Sequence, residues 1–307
     1  MNRAMRIHQY GSADAVKMNT VAEPLAAAGE VIVRVHAAGV NGLDWKIRDG
    51  SLQQVFQLPL PVTLGIELAG EVVGTGEGVS RFAVGDRVMG ALGGLGAYAD
   101  RVAVAADKLT LIPAAIDDVR AAAIPVAALT ASQALFEAGG LQAGQTVLIH
   151  GAAGGVGSFA VQLAKRAGAQ VIVTAQGINA TYLRALGADK VIDYRNADFR
   201  DHAANVDLVL DLVGGATLAH SWQVLAAHGR IVSTAAPEIV ATTPAGRQGI
   251  WFQMRPDGAR LGEIAAQVAA GELKVEVSEI AELADAAAVI ERNQTGHGPG
   301  KAVLRFL

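Results

Sequence analysis

The chain contains no cysteine. Disulfides, thiolate zinc sites, iron–sulfur clusters and a catalytic thiol are therefore excluded. Metal binding through histidine and carboxylate has little support, because the seven histidines are scattered and no H-E-x-x-H occurs. Charge is sparse, at 18% of residues, and balanced, with 25 Lys and Arg against 29 Asp and Glu and a formal net charge of −4. With no basic block, the chain is not composed as a nucleic-acid binder. An uninterrupted membrane-length run is also missing. The uncharged run 121–136 falls short of the roughly 20 residues a spanning helix needs and contains Pro125. The run 146–164 is broken in its middle by glycines, so both read as buried elements. The first ten residues carry Arg3, Arg6 and His8 and no apolar h-region, so no signal peptide is read and a cytoplasmic location is the expectation.

What is present is a large apolar fraction, 51% of 307 residues, enough for two cores or one large α/β core. The first third reads as β-rich. Glu30-Val-Ile-Val-Arg-Val-His36 alternates with period two, and the short apolar runs 67–74 and 87–89 are punctuated by glycine, which suggests a small barrel or sandwich. From about residue 115, alanine-rich helical stretches alternate with β-branched runs. Strands are expected at 146–150, 171–174, 190–192, 206–210 and 230–233, and helices at 156–167, 180–186 and 216–227. That alternation argues for a parallel sheet with helices on both faces. In the tail, 261–270 and 283–293 read as helices and 274–277 and 301–307 as strands. The tail is expected to fold back onto the N-terminal part, with the α/β unit inserted between.

The strongest local signal is the strand Thr146-Val-Leu-Ile-His150 running into Gly151-Ala-Ala-Gly-Gly-Val-Gly157 and then an amphipathic helix. This is the strand–turn–helix context that a dinucleotide fingerprint requires. Backbone N–H groups and the positive end of the helix dipole would meet the pyrophosphate there. Gly154 would admit the phosphate and Gly157 would allow close packing of helix on strand, while Ala152 stands where G-x-G-x-x-G has its first glycine. The next strand ends Thr174-Ala-Gln176 without the Asp or Glu that holds an NAD ribose, so NADP(H) is the expected cofactor. Arg184, Tyr194, Arg195 and Arg292 are candidate partners for its 2′-phosphate, and each also reads as an ordinary surface residue.

His150-Gly-Ala-Ala-Gly-Gly-Val-Gly157 resembles the signature of the zinc-independent, zeta-crystallin-like quinone oxidoreductases of the medium-chain dehydrogenase/reductase superfamily. Other blocks resemble the same family in the same order. They are Ala38-Gly-Val-Asn-Gly-Leu-Asp-Trp-Lys-Ile-Arg48, Leu64-Gly-Ile-Glu-Leu-Ala-Gly-Glu-Val72, Gly96-Ala-Tyr-Ala-Asp100, Ala128-Leu-Thr-Ala-Ser-Gln-Ala134, Leu186-Gly-Ala-Asp-Lys-Val-Ile-Asp-Tyr194 and Thr295-Gly-His-Gly-Pro-Gly-Lys301. The resemblance implies an α/β fold: a doubly wound Rossmann sheet, at 121–271, inserted in a GroES-like β-rich catalytic domain formed by 1–120 and 272–307. It also implies a homodimer paired through the cofactor domains. Asn41 stands where the zinc enzymes of the superfamily carry a ligand cysteine, so zinc Lewis-acid chemistry is not expected.

The resemblance places Thr130 beside the nicotinamide. It assigns further cofactor contacts to Ala153, Gly154, Gly155 and Val156 in the turn, to Thr174, Ala175, Gln176 and Asn179 after the second strand, and to Tyr194, Val213 and Arg292. Where related sequences read T-A-S-x-R-N, this chain reads Thr174-Ala-Gln-Gly-Ile-Asn179, so Gln176 and Ile178 replace the Ser and Arg that would bind a 2′-phosphate. Reduction of a quinone or an enone would need donors for the acceptor oxygen, and Asn41, Asp44, Lys46 and Tyr98 are the candidate catalytic residues. A structural reading stands beside each: Asn41 as a turn cap, Asp44 as a helix cap, Lys46 as a solvated side chain, Tyr98 as packing. His36, His150 and His297 read as structural. The function expected is NADPH-dependent hydride transfer to a quinone or α,β-unsaturated carbonyl. The alternatives are an enoyl-thioester reductase of the same fold and a non-catalytic NADP-binding protein with a redox-sensing or structural role.

Overall fold

The computed structural model describes residues 1–296 and 298–306, so the reading of His297 falls outside the described residues. The chain divides into two units, one formed by residues 1–126 and 256–307 and one by 127–255. The first carries β1 (Asn2–Ile7), β2 (Val16–Val21), β3 (Glu30–Gly39), β4 (Val62–Thr63), β5 (Glu67–Thr75), β6 (Arg87–Ala91), β7 (Arg101–Ala105) and β8 (Leu109–Leu111). The second carries β9 (Thr146–His150), β10 (Gln170–Ala175), β11 (Lys190–Asp193), β12 (Val206–Asp211), β13 (Leu225–Ser233) and β14 (Gln248–Trp251). The tail adds β15 (Val277–Glu282) and β16 (Lys301–Arg305) to the first unit.

β3 organises the first unit. Its alternation puts Val31, Val33 and Val35 into the core with at most 3% exposure, while Arg34 faces solvent. Register shifts against β5 bend it, so that residues 30–34 pair with β7 and residues 37–39 with β16. The sheet runs β15-β16-β3-β5-β6-β8, and a smaller sheet β2-β1-β4 carries an isolated bridge from Ala4 to Ala99, two residues before β7. The return of the tail is thus a strand pairing, β16 against β3.

One buried ion pair accompanies that pairing. The Glu67 carboxylate is fully buried; its Oε1 accepts from Lys301 Nζ at 2.7 Å and its Oε2 from the Val126 N–H at 2.7 Å. Lys301 Nζ also donates to the Val40 carbonyl at 2.8 Å and to Asn41 Oδ1 at 2.5 Å. A buried carboxylate is tolerated only when paired and hydrogen-bonded, and here the partner comes from the last strand of the chain.

The second unit has a wholly parallel sheet in the order β11-β10-β9-β12-β13-β14. Counted within the unit, this is 3-2-1-4-5-6, the doubly wound order whose direction reverses between the first and fourth strands. Val147, Leu148 and Ile149 of β9 are all fully buried, as expected of a strand covered on both faces. No helix among the described residues is long and apolar enough to cross a membrane.

The structure departs from the sequence expectations at three places. The expected helix 216–227 ends at Ser221, and β13 starts at Leu225, because Leu225 pairs with Val206 and alanine content yields to strand pairing. The short tail strand lies at 277–282 rather than 274–277. The unit boundaries fall at 126/127 and 255/256 instead of 120/121 and 271/272. Helix Gly258–Ala269 therefore belongs to the first unit, where a Cβ at Gly258 would stand 2.3 Å from the Leu109 carbonyl of β8.

Lys301→Met should cost about 3–5 kcal/mol in urea denaturation, because it strands the Glu67 charge in the core. Adding Glu67→Gln should recover at least half of the loss. A single mutant within about 1 kcal/mol of wild type would show that the pair does not hold the two chain ends together.

Candidate functional site

Parallel α/β sheets bind ligands at the C-terminal ends of the strands, where the strand order reverses. In the second unit that point is the end of β9 beside β12. β9 ends at His150; Gly151 turns with φ +72°, and helix Gly155–Arg166 begins after Gly154. No side chain caps the helix, so its first N–H groups are left for a ligand or solvent. Two glycines of the turn differ in what they answer to. A Cβ on Gly157 would come within 2.5 Å of the Ala152 Cα and the Gly151 carbonyl, so the fold itself requires glycine there. A Cβ on Gly154 would meet nothing nearer than the Gly151 carbonyl at 3.5 Å, so the fold leaves that position open. An open, uncapped, glycine-lined helix start suits a pyrophosphate. Ala153, Gly154, Gly155 and Val156 are all partly exposed on this turn.

A buried polar layer fixes the strand ends beneath. Ser221 Oγ donates to the Thr217 carbonyl at 2.7 Å and so accepts from His150 Nε2–H at 3.0 Å. That leaves His150 Nδ1 to accept from the Thr174 hydroxyl at 2.8 Å. Burial pushes the imidazole down to about 4, against the weaker opposite pull of Asp211. Asp211, at the end of β12 and fully buried, accepts from the N–H groups of Val213 and Gly214 at 3.1 and 2.9 Å and from Ser233 Oγ at 2.7 Å. The loop it ties down carries Val213, which is 54% exposed. Tyr194 after β11 and Ile178 after β10 are exposed at the same edge of the sheet. Apolar side chains left in water along one edge are suited to a flat ring system.

In the first unit, the segment after β3 forms a second polar cluster. Asp44 and Tyr98 are fully buried. The Asp44 carboxylate accepts from the Asn41 N–H at 2.8 Å, the Gly65 N–H at 3.2 Å and Tyr98 Oη at 2.8 Å. Burial pushes its carboxyl up to about 6 in spite of those bonds, and it pushes the Tyr98 hydroxyl well above its ordinary value. Asn41 uses its whole amide: Oδ1 accepts from Lys301, and Nδ2 donates to Glu67 Oε1 at 2.9 Å and the Gly39 carbonyl at 3.2 Å. Lys46, half-buried on helix Gly42–Arg48, has its ammonium 5.5 Å from the centre of the Trp45 ring. No group of three or more His, Asp or Glu side chains able to hold a metal lies among the described residues.

A family model described as alcohol dehydrogenase GroES-like domain matches residues 27–114, and one described as zinc-binding dehydrogenase matches 186–304. A chloroplast envelope quinone oxidoreductase homolog of Arabidopsis thaliana is 31% identical over 320 residues, covering 98% of this chain and 97% of that protein. The chain is 37% identical to the human synaptic vesicle membrane protein VAT-1 homolog over 239 residues, which span 75% of this chain and only 60% of that relative. Among solved structures, the quinone oxidoreductase from Coxiella burnetii superposes with a TM-score of 0.94 at 33% identity, 99% of each chain being covered. The Escherichia coli quinone oxidoreductase complexed with NADPH superposes with a TM-score of 0.88 at 29% identity, covering 99% of this chain and 100% of that one. The chain belongs to the zinc-independent quinone oxidoreductases of the medium-chain dehydrogenase/reductase superfamily.

For a quinone oxidoreductase of this family, the residues of the two clusters sort into three groups. Ala153 to Val156, Ala175, Gln176, Asn179, Tyr194 and Val213 lie in the second unit on or after the C-terminal ends of its strands. Thr130, also in that unit, is 7% exposed on helix Pro125–Ser132. A second group needs correction. Asp44 and Tyr98 are sealed in the core and bonded to each other, and Asp44 also accepts from the Asn41 N–H. Both Asn41 donors are taken by the protein, so its amide is not the donor to an acceptor oxygen. The Thr174 hydroxyl is bound to buried His150. Arg292 is half exposed and ion-paired with Glu279 of β15. The third group was missed: Glu67, Lys301, Asp211, Ser221 and Ser233. Their signal was a charged or hydroxyl residue at the end of an otherwise apolar run.

The two buried titrating groups act in opposite senses. The His150 contribution is complete above its ordinary 6.5 and is lost as pH falls toward 4, since only the unfolded chain takes the proton in between, a loss of roughly 3 kcal/mol. The Asp44 contribution is complete below 3.8 and is lost as pH rises through about 6. His150→Asn should therefore flatten the acid destabilisation between pH 6.5 and 4, and Asp44→Asn should steepen it. Calorimetric melts across that window check both, and identical slopes in all three proteins would contradict the assignment.

Proposed function

We propose that the protein is an NADPH-dependent reductase of quinones or α,β-unsaturated carbonyls. The observation that carries this reading is Gly154, a glycine the fold leaves room to replace, at an uncapped helix start on the reversal point of a 3-2-1-4-5-6 sheet. The E. coli relative complexed with NADPH supports the same nucleotide here. When bound, NADPH supplies the hydride. The chain's own contribution is position and electrostatics. The turn holds the pyrophosphate on backbone N–H groups, and Val213, Tyr194 and Ile178 offer apolar contact to the rings. Of the candidate donors on the first unit, Asn41, Asp44 and Tyr98 are already hydrogen-bonded within that unit, which leaves Lys46 as the candidate to answer a developing negative charge. The acceptor is further selected by the loop 50–60. Part of it, Gln53, Gln54, Gln57, Leu58 and Pro59, lines with Tyr10 an open hollow of about 490 Å³. A homodimer paired through the cofactor units is part of the same proposal, and β14, which ends its sheet, provides the edge.

NADPH oxidation should be followed with a panel of quinones and enones, for wild type and Gly154→Ala. Wild type should turn over at least one acceptor. The variant should melt within a few degrees of wild type yet bind NADPH at least about tenfold more weakly, a loss of roughly 1.4 kcal/mol. Unchanged affinity in the folded variant would overturn the phosphate assignment. Tight NADPH binding without turnover of any acceptor would favour a non-catalytic nucleotide-binding protein.

A further inference from the structure

The second strand of a dinucleotide-binding sheet normally ends in an acid when the ribose 2′-oxygen is unmodified, and lacks it when that oxygen carries phosphate. β10 ends Thr174-Ala175 and turns through Gln176 and Gly177, with no acid of its own. An acid nevertheless stands at its tip, supplied by the neighbouring strand. β10 and β11 are parallel, and Ala175 lies opposite Asp193, the last residue of β11. The Asp193 carboxylate tucks against the turn after β10. A Cβ built on Gly177 would stand 2.6 Å from Asp193 Oδ2 and 3.2 Å from its carboxyl carbon.

This carboxylate is fixed in place and charged. Its Oδ1 accepts from the Arg195 N–H at 3.2 Å and its Oδ2 from Asn196 Nδ2 at 2.7 Å. Those bonds, the Arg195 backbone first and the Gly177 backbone with them, hold it below the usual carboxylate range, so it is an anion at neutral pH. A side chain at position 177 would have to displace the Asp193 carboxylate from this place. The 2′-phosphate of NADPH, with a charge near −2, would be placed beside a fixed negative charge. The 2′-hydroxyl of NADH would not be repelled and could donate to it.

We propose that Asp193 is the specificity-determining residue that holds down the preference for NADPH over NADH. It acts from β11 in place of the acid that β10 lacks, and opposes the attraction that exposed Arg195 and Arg184 exert on a 2′-phosphate. The proposal rests on the reading of this edge as a nicotinamide dinucleotide site.

The test is titration of wild type, Asp193→Asn, Asp193→Ser and Asp193→Glu with NADPH and with NADH, followed by nucleotide fluorescence, with a thermal melt of each protein. Asn and Ser both keep an oxygen to accept from the Arg195 N–H, which gives two independent chances of a folded, uncharged variant. The ratio of dissociation constants should shift toward NADPH by about tenfold in Asn or Ser, mostly through tighter NADPH, whereas Glu, which keeps the charge, should stay near the wild-type ratio. A ratio within twofold of wild type in a folded uncharged variant that still binds both nucleotides would overturn the role of Asp193 alone. Failure of wild type to bind either nucleotide would overturn the dinucleotide reading and the inference with it.

Discussion

A carboxylate with no access to water must be answered from within the chain, and in this protein the answer to Glu67 comes from Lys301, near the opposite end of the sequence. The pairing of β16 with β3 brings that lysine into place, and the same ammonium orients Asn41 and the Val40 carbonyl. The first unit is therefore closed only when the tail has returned, which makes the parallel α/β unit an insertion between two halves of one core. Asn41, Asp44, Glu67, Tyr98 and Lys301 are joined in one hydrogen-bonded cluster inside the core. A segment held this tightly can present helix Gly42–Arg48 in one geometry, which a catalyst that works by position requires.

The second unit solves a different problem. Its sheet is buried on both faces, so polar groups at the strand ends must be tied down without water. His150, Thr174 and Ser221 form one chain of hydrogen bonds, and Asp211, Ser233 and the 213–214 backbone form another. These lie beneath the edge where ligands bind in such sheets, and they hold the loops above in register. Rigidity below and open glycine geometry above are what a preorganised phosphate site would need.

Much of this was legible in the sequence because it is local. A buried strand, a glycine turn and an amphipathic helix follow one another within residues 146–166, and the regular alternation of β and α segments exposes the parallel sheet. What was not legible depends on partners far apart in the chain. Tyr98 looks like a free phenol until Asp44, 54 residues earlier, is seen to accept from it. Lys301 reads only as the first residue of the tail strand until it meets Glu67 across 234 residues. Arg292 looks available for a phosphate, but packing of its helix on β15 gives it Glu279. Alanine-rich 222–227 reads as helix because propensity is local, whereas Leu225 is claimed by pairing with Val206.

On the proposed reading, the turn after β9 is the seat of the dinucleotide. Amide hydrogen exchange of the whole protein, with and without saturating NADPH, tests it most directly. Exchange should slow chiefly in 151–158 and in the 174–179 turn, with the buried strands β9 and β12 little changed. Protection that leaves 151–158 untouched, or that falls only on other segments, would contradict it.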